Sequence, residues 1–380
     1  MKGLPRGTFD RFIKKTNADK YSKHFGHWDH LIAMLYAQLS GTTGLRPLVA
    51  AFNGHMSHHY HLGTKSIKRN TLADANKKRP DTVFSETAAW LMGQVSRKDR
   101  KDSRELMFLL DSTSVTLKGR DFESWTAINK TRHTQGIKLH VLMEALSKTP
   151  AWHSISAANV NDVELAHAVP LEKGALYVFD KGYCDYNWWN SIDKAEARFV
   201  TRFKKNAAID IVEQRSIPAE HCDVVLEDRL VKFKRKNPGG GRVNHYFGKP
   251  LRCVTIKRPD MPTPLILATN DLTASAATIA QHYKERWAIE LFFKWIKQHL
   301  KIKKFIGESE NAVRIQILTA LISYLLVALY KQRHALIETL WECLCVIRAT
   351  LFQRPDANAS RHRRRRREDA ALAKLQRRLF

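Results

Sequence analysis

The stretch QHYKERWAIELFFKWIKQHL, residues 281 to 300, constrains this chain more than any other. A helix turns by about 100° per residue, so Arg286, Glu290 and Lys297, at offsets of three, seven and fourteen from Tyr283, fall within roughly 60° of it. The four share one polar stripe. Ala288, Ile289, Leu291, Phe292, Trp295 and Ile296 fall on the other side of the wheel, which predicts a helix packed on a core with its polar face held up. Glu285 lands towards the apolar side and Phe293 beside the stripe, so the amphipathicity is imperfect. Two cations and a phenol around one carboxylate form an anion-handling surface, because Arg and Lys hold phosphates while Glu can hold a metal. A solvated face with an ordinary ion pair between Glu290 and Arg286 or Lys294 has the same spacing.

The charge balance narrows the partners. Lysine and arginine outnumber aspartate and glutamate by 64 to 37, a net charge of +27. This exceeds what solubility requires and favours a polyanion, of which nucleic acid is the commonest large one; an acidic membrane or RNA bound without specificity satisfies the same charge. At 380 residues the chain can bury a large core in about two to three domains. Cys184, Cys222, Cys253, Cys343 and Cys345 form no paired CxxC spacing, which suits a reducing compartment and excludes a zinc ribbon. The N-terminal MKGLPRGTFDRF carries no apolar signal region. The most lipid-like run, Ile317 to Tyr330, is shorter than the ~20 residues a membrane span needs and predicts a buried helix.

Residues 1 to 98 read as helical and basic. Leu31, Met34, Leu35 and Leu39 recur at helical spacing, Gly41 and Gly44 stop that helix, and a second short one follows. Thr64 and Thr71 are placed to cap two more, the last ending before Pro80. Short helices ringed by Lys65, Lys68, Arg69, Lys77, Lys78 and Arg79 suggest a helix-turn-helix-like DNA reader, although a generic basic bundle fits the same pattern. Histidines cluster at 24, 27 and 30 and again at 55, 58, 59 and 61, but no cysteine or carboxylate completes a metal-ligand spacing. They are expected at the surface or facing a groove.

After the charged linker SRKDRKDSR the texture becomes α/β. Met107 to Leu110 is an apolar run of strand length ended by Asp111, and further strands follow at GIKLHVLMEA and AWHSISAA. Asn161 and Asp162 begin a capped helix. Leu176 to Phe179 repeats the first device, ended by Asp180, with Gly182 permitting the turn. A helix over 186 to 195 precedes ARFVTRFKKN, a strand with the basic end Arg202, Lys204 and Lys205. Between Asn206 and Pro264 short alternating stretches around NPGGG predict antiparallel hairpins, in which Phe233, Tyr246 and Phe247 pack by default and are placed to stack on bases. PLILATND then returns to the core. Past residue 335 one more helical segment is spaced for packing or self-association, and RHRRRRR, residues 361 to 367, is a low-complexity tail suited to nonspecific phosphate binding.

An aspartate after a strand is most often a turn residue or a helix cap. In α/β sheets, however, the ligand crevice lies outside the carboxyl ends of the strands, so Asp111 and Asp180 project towards one site if their strands are neighbours. With Glu290 on its polar stripe they make a set of three acids.

Tyr283, Arg286, Glu290 and Lys297, separated by two, three and six residues, resemble the Tyr-Arg-Glu-Lys signature of DDE transposases of the insertion sequence 4 family. ASAATIAQHYKERWAIELFFKWIKQ is similar to that family over many consecutive positions, as are LLDSTSV around Asp111, DKGYCDY around Asp180 and FVTRFKKN. The resemblance covers roughly residues 100 to 335, and HFGHWDHLIAMLYAQLSG resembles the DNA-binding region ahead of it. Lys181 stands where many relatives carry Arg, which keeps the charge and loses the fork geometry. The arginine tail is not part of the family pattern.

The resemblance implies an α/β, ribonuclease-H-like catalytic core with a β-rich insertion, preceded by a helical DNA-binding domain. The domains are then expected at 1–98, 99–205, 206–264 for the insertion, 265–335 for the second part of the core, and 336–380. It implies that Asp111, Asp180 and Glu290 bind two divalent ions, Mg²⁺ with Mn²⁺ as a substitute, for in-line displacement at phosphorus. Tyr283, Arg286 and Lys297 are implied to hold transposon-end phosphates, with Trp287 placed to pack there or to help hold an unstacked base. Lys294, Lys181, Arg202, Lys204, Lys205, Lys65, Lys68 and Arg69 complete the expected DNA-binding set. The partners implied are double-stranded DNA, as transposon ends and as target, and a second protomer on that DNA. The expected setting is the bacterial cytoplasm, at the nucleoid. A catalytically silent repressor derived from such an enzyme is the alternative, and the presence of all three carboxylates argues against it.

Overall fold

The computed structural model describes residues 3–99, 106–129, 134–204, 207–237, 242–258, 261–300, 302 and 304–351. Lys205 and the arginine run at 361 to 367 lie outside the described residues. The chain divides into two compact units, one of Met1–Leu91 with His299–Phe380 and one of Met92–Gln298.

Six helices come first: α1 (Arg6–Thr16), α2 (His27–Ser40), α3 (Leu45–Gly54), α4 (Met56–Leu62), α5 (Arg69–Lys78) and α6 (Thr82–Asp99). Gly41 ends α2 as the spacing predicts, with φ of 72° and its N–H on Ala37 O, because glycine takes the left-handed conformation at no steric cost. Thr64 does not cap a helix: its hydroxyl donates to Asp29 Oδ1 at 2.7 Å. Thr71 lies inside α5, whose N-cap, Lys68, makes no side-chain cap bond.

The histidines depart most from expectation, since several are interior rather than at the surface. His27 and His30 are fully buried and His59 nearly so. His30 Nε2 meets Asn76 Oδ1 at 2.7 Å, His27 Nδ1 meets Asp19 Oδ1 at 2.6 Å, and His59 stacks on Phe52 while bonding its carbonyl. One ring nitrogen of each is satisfied inside the fold, although His27 Nε2 and His30 Nδ1 have no partner among the described residues. That is why a count of metal-ligand spacings could not place them.

Among the described residues, the second unit is built on one ten-stranded sheet. Its strands are β1 (Met107–Thr116), β2 (Ala127–Asn129), β3 (Thr134–Glu144), β4 (Thr149–Ala157), β5 (Leu176–Phe179), β6 (Arg198–Arg202), β7 (Ile209–Gln214), β8 (Val225–Phe233), β9 (Leu251–Arg258) and β10 (Met261–Thr269). The order is β2-β3-β1-β5-β6-β10-β9-β8-β7, with β4 also on β3. β1, β3 and β4 pair antiparallel, whereas β1, β5 and β6 run parallel. This is the mixed arrangement of a ribonuclease-H-like core. The hairpin strands β7, β8 and β9 form no separate sheet: β10 pairs antiparallel with both β6 and β9, so they extend the same one.

The helices of this unit are α7 (Arg120–Glu123), α8 (Asp162–Ala166), α9 (Tyr186–Lys194), α10 (Ala276–Glu285) and α11 (Trp287–His299). Phe108, Leu110, Tyr177 and Phe179 join Trp188, Trp189 and Ile192 of α9 in the core cluster on one side of the sheet. By the alternation of a strand, Asp111 then faces away from that cluster. The chain closes with α12 (Glu310–Arg333) and α13 (Leu340–Thr350) in the first unit. α12 is the one helix among the described residues long and apolar enough to cross a membrane, but 89% of its apolar window is buried inside the fold. It is a core helix, as the short apolar run predicts.

Candidate active site

Two adjoining parallel strands bring the first two acids together. Leu110 of β1 pairs with Phe179 of β5, and one step further along each strand stand Asp111 and Asp180. The two differ in one respect from the sequence expectation. Asp180 does end its strand and heads a tight 3₁₀ turn closed by Tyr183 N–H on Asp180 O at 3.0 Å. Asp111 does not: β1 runs on to Thr116, with Asp111 opposite Val141 of β3, because β3 is long enough to continue the ladder.

The third acid comes from the polar stripe, whose helix is interrupted. α10 ends at Glu285, Arg286 stands in a turn, and α11 begins at Trp287. The break re-phases the wheel. Ile289, Phe292, Phe293 and Ile296 become the buried face of α11, while Leu291, expected inside, is 52% exposed. Glu290 sits in the first turn of α11, where the helix dipole favours a carboxylate.

Arg286 joins the acids. Its Nη1 lies 3.3 Å from Asp111 Oδ2 and its Nη2 2.5 Å from Glu290 Oε1, so one planar fork spans two carboxylates. Tyr283 OH donates to Asp180 Oδ1 at 3.3 Å, and Arg202 Nη1 approaches the same oxygen at 3.5 Å. The Arg286 guanidinium also lies over the Tyr283 ring, 5.6 Å from its centre. Burial pushes the Asp111 carboxyl up to about 6, against the pull of the Ser112 N–H and of Arg286, and the charges of Glu290 and Asp180 raise it further. Burial likewise pushes Tyr283 up to about 12, so its phenol is a proton donor at neutral pH.

The donor set is three carboxylates that repel one another, which suits a hard divalent cation. Their spacing is that of acids closed on arginine. Among the described residues no three His, Cys, Asp or Glu are gathered at metal-ligand spacing while Arg286 bridges Asp111 and Glu290, so a cation would take the place that guanidinium holds.

Of the other expected residues, Trp287 is 59% exposed beside Glu290, with Leu291 one turn on. Lys294 is exposed and Lys297 half-buried on α11. Lys181 is exposed in the turn after Asp180, and Lys204 is exposed after β6. Lys65, Lys68 and Arg69 are exposed and belong to the other unit. Sequence reasoning grouped Arg202 with the basic end of a strand and missed its approach to Asp180. The parallel pairing of β5 and β6 that carries it there has no local signature.

Comparison with known proteins gives three kinds of likeness. The sequence pattern of the transposase DDE domain matches residues 102–326, and that of a domain of unknown function matches residues 1–65. A protein of Sinorhizobium fredii named as the transposase y4zB is 40% identical over 290 residues, covering 76% of this chain and 78% of the relative. A protein of Geobacillus stearothermophilus named as the transposase of insertion sequence element IS5377 is 27% identical over 71% of this chain and 69% of its own length. Among solved structures, the piggyBac transposase in a synaptic complex with hairpin DNA aligns with a TM-score of 0.45 at 12% identity, over 89% of this chain and 74% of that one.

Proposed function

The chain belongs to the family of DDE transposases, and from that premise we propose that it cuts the ends of an insertion sequence and joins the freed 3′ ends to target DNA. The observation that carries this reading is the convergence of Asp111, Asp180 and Glu290 from two adjoining strands and the start of a helix, linked by Arg286 and Tyr283. Members of this family use divalent ions. The three acids would hold two Mg²⁺ here, with Mn²⁺ a workable substitute. Bound there, such ions supply activation of the attacking hydroxyl and neutralisation of the leaving oxygen.

The chain's own residues do the rest. Arg286, Tyr283, Lys297 and Lys294 line the stripe that receives transposon-end phosphates, and Lys181, Arg202 and Lys204 extend it on the Asp180 side. Arg286 has two tasks, because it neutralises Asp111 and Glu290 until DNA and cations arrive. Trp287 offers an exposed ring next to Glu290 for an unstacked base. Lys65, Lys68 and Arg69 give the helical region a basic surface for end recognition. Pairing two ends requires two protomers, so the assembly on DNA is a dimer.

The test is incubation of purified protein with DNA carrying the flanking ends of its own gene, in Mg²⁺ and in EDTA, for wild type and Glu290→Gln. Breaks at the ends in Mg²⁺ are expected, with none in EDTA or in the variant, which still binds the ends. End binding without cleavage by the wild type would sink the enzyme assignment and favour the repressor.

A further inference from the structure

Across the sheet from Asp111 lies a polar cluster that the proposed chemistry does not use. Its centre is Asp162, the first residue of α8. Asn161 performs the capping, accepting from Val163 N–H at 3.3 Å, so the Asp162 carboxylate is left for other partners. Lys138 of β3, only 6% exposed, donates from Nζ to Asp162 Oδ1 at 3.0 Å and to Val160 O at 2.7 Å. Ser112 Oγ donates to the same Asp162 oxygen at 3.3 Å.

Both acid-bearing segments are tied to this centre. Ser112 follows Asp111, and its N–H donates to Asp111 Oδ1 at 2.8 Å. On the other side, Tyr183 closes the turn that Asp180 begins, and its hydroxyl lies 3.2 Å from His140 Nδ1. His140 Nε2 meets Ser156 Oγ at 2.9 Å, and its Nδ1 lies 4.0 Å from Asp162 Oδ1. The turn also packs closely on the carboxylate, since a Cβ at Gly182 would stand 3.4 Å from Asp162 Oδ2. Burial first, and then the charges of Asp162, Asp111 and Asp180, hold the Tyr183 phenol well above its ordinary value.

A buried ion pair is weak evidence for stability, because desolvation of the two charges can exceed their attraction. An uncompensated buried ammonium across the sheet from a set of carboxylates is a different matter, because its charge opposes any cation those carboxylates bind. We propose that Asp162 is a positioning residue that cancels the Lys138 charge and so sustains divalent-cation affinity at Asp111, Asp180 and Glu290. The inference rests on the reading of those three acids as the metal-holding set.

The test is Mn²⁺ binding by the DNA-free full-length protein, followed by electron paramagnetic resonance, with end binding in EDTA measured alongside. Wild type, Glu290→Gln, Asp162→Asn, Lys138→Met and the double variant Lys138→Met/Asp162→Asn are compared. Loss of a group that supports metal ligands costs 10- to 100-fold in metal affinity, so Asp162→Asn is expected to weaken Mn²⁺ by about that factor while end binding stays within about threefold. Removing both charges is expected to restore Mn²⁺ affinity to within about threefold of wild type, and Lys138→Met alone to bind at least as tightly as wild type. Unchanged Mn²⁺ affinity in a folded Asp162→Asn, or a double variant as weak as Asp162→Asn, would overturn the proposal. If Asp162→Asn does not fold, Lys138→Met and the double variant decide it: tighter Mn²⁺ binding by Lys138→Met than by the double variant upholds it, and equal binding by the two, or weak binding by either folded protein, would overturn it. Equal Mn²⁺ binding by wild type and Glu290→Gln would instead refute the metal-site reading itself.

Discussion

Arg286 is the residue on which the acid site turns. Asp111 and Glu290 are brought within reach of one guanidinium, and without it two carboxylates would face each other in a largely buried place. Lysine would not serve, because a single ammonium cannot span two carboxylates as a planar fork does. Arg286→Ala is expected to destabilise the protein in EDTA by about 1–3 kcal/mol, the penalty for stranding buried hydrogen-bonding groups. Millimolar Mg²⁺ is then expected to raise the melting temperature of the variant more than that of wild type, since a cation between the acids replaces the missing charge. Thermal melts with and without Mg²⁺ check this. A variant that melts alike in both would mean that its acids do not converge on a cation.

At the scale of elements, Asp271 shows how the chain is turned from β10 into the helix that carries Tyr283. Its buried carboxylate accepts at Oδ1 from Thr273 N–H, Thr273 Oγ1 and Ala274 N–H at 2.9–3.0 Å, and Arg198 Nη1 lies 3.1 Å from Oδ2. Burial alone would raise this carboxyl, but those donors hold it down to about 2. A carboxylate depressed in the fold contributes stability above its ordinary value near 3.8 and loses it as pH falls through about 2. A tenfold change in a protonation equilibrium is worth about 1.4 kcal/mol. With solvent screening allowed for, Asp271→Asn is therefore expected to cost about 1–2 kcal/mol at pH 7, the gap from wild type closing between about pH 4 and about pH 2. Urea unfolding of both proteins across that range measures it. This anchor and the helix break were not legible in the sequence, whereas the strands before Asp111 and Asp180 were. An apolar run ended by Asp is a local signal. The pairing of β1 with β5, which makes the two aspartates neighbours, is set by long-range register. The break at Arg286 has no Gly or Pro to announce it, and it coincides with the guanidinium's reach to Asp111. In the sequence Asn161-Asp162 is capping chemistry for a helix start, and only the fold shows that one of the two does the capping.

At the scale of the whole molecule, both units bury neutral imidazoles, and this sets an acid limit on the fold. In the helical unit, burial pushes His30 down to about 3, helped by the charges of Arg79 and His27 and opposed by the Asn76 hydrogen bond and by Asp19. In the sheet unit, burial pushes His140 and His153 down to about 4, with Asp162 opposing this at His140 and the Lys138 charge reinforcing it. Below pH 6.5 the unfolded chain takes up protons that the native one refuses, so stability is complete above 6.5 and falls as pH drops towards 4 and then 3. Each such histidine costs about 1.4 kcal/mol at about pH 5.5 by this linkage. The urea midpoint is therefore expected to fall between about pH 7 and about pH 5.5. In His30→Gln, whose amide can still donate to Asn76, the fall is expected to be smaller by the share of one histidine, about 1.4 kcal/mol. Equal falls in wild type and variant would mean that His30 takes up its proton inside the fold. The helical unit's acid sensitivity would then lie elsewhere.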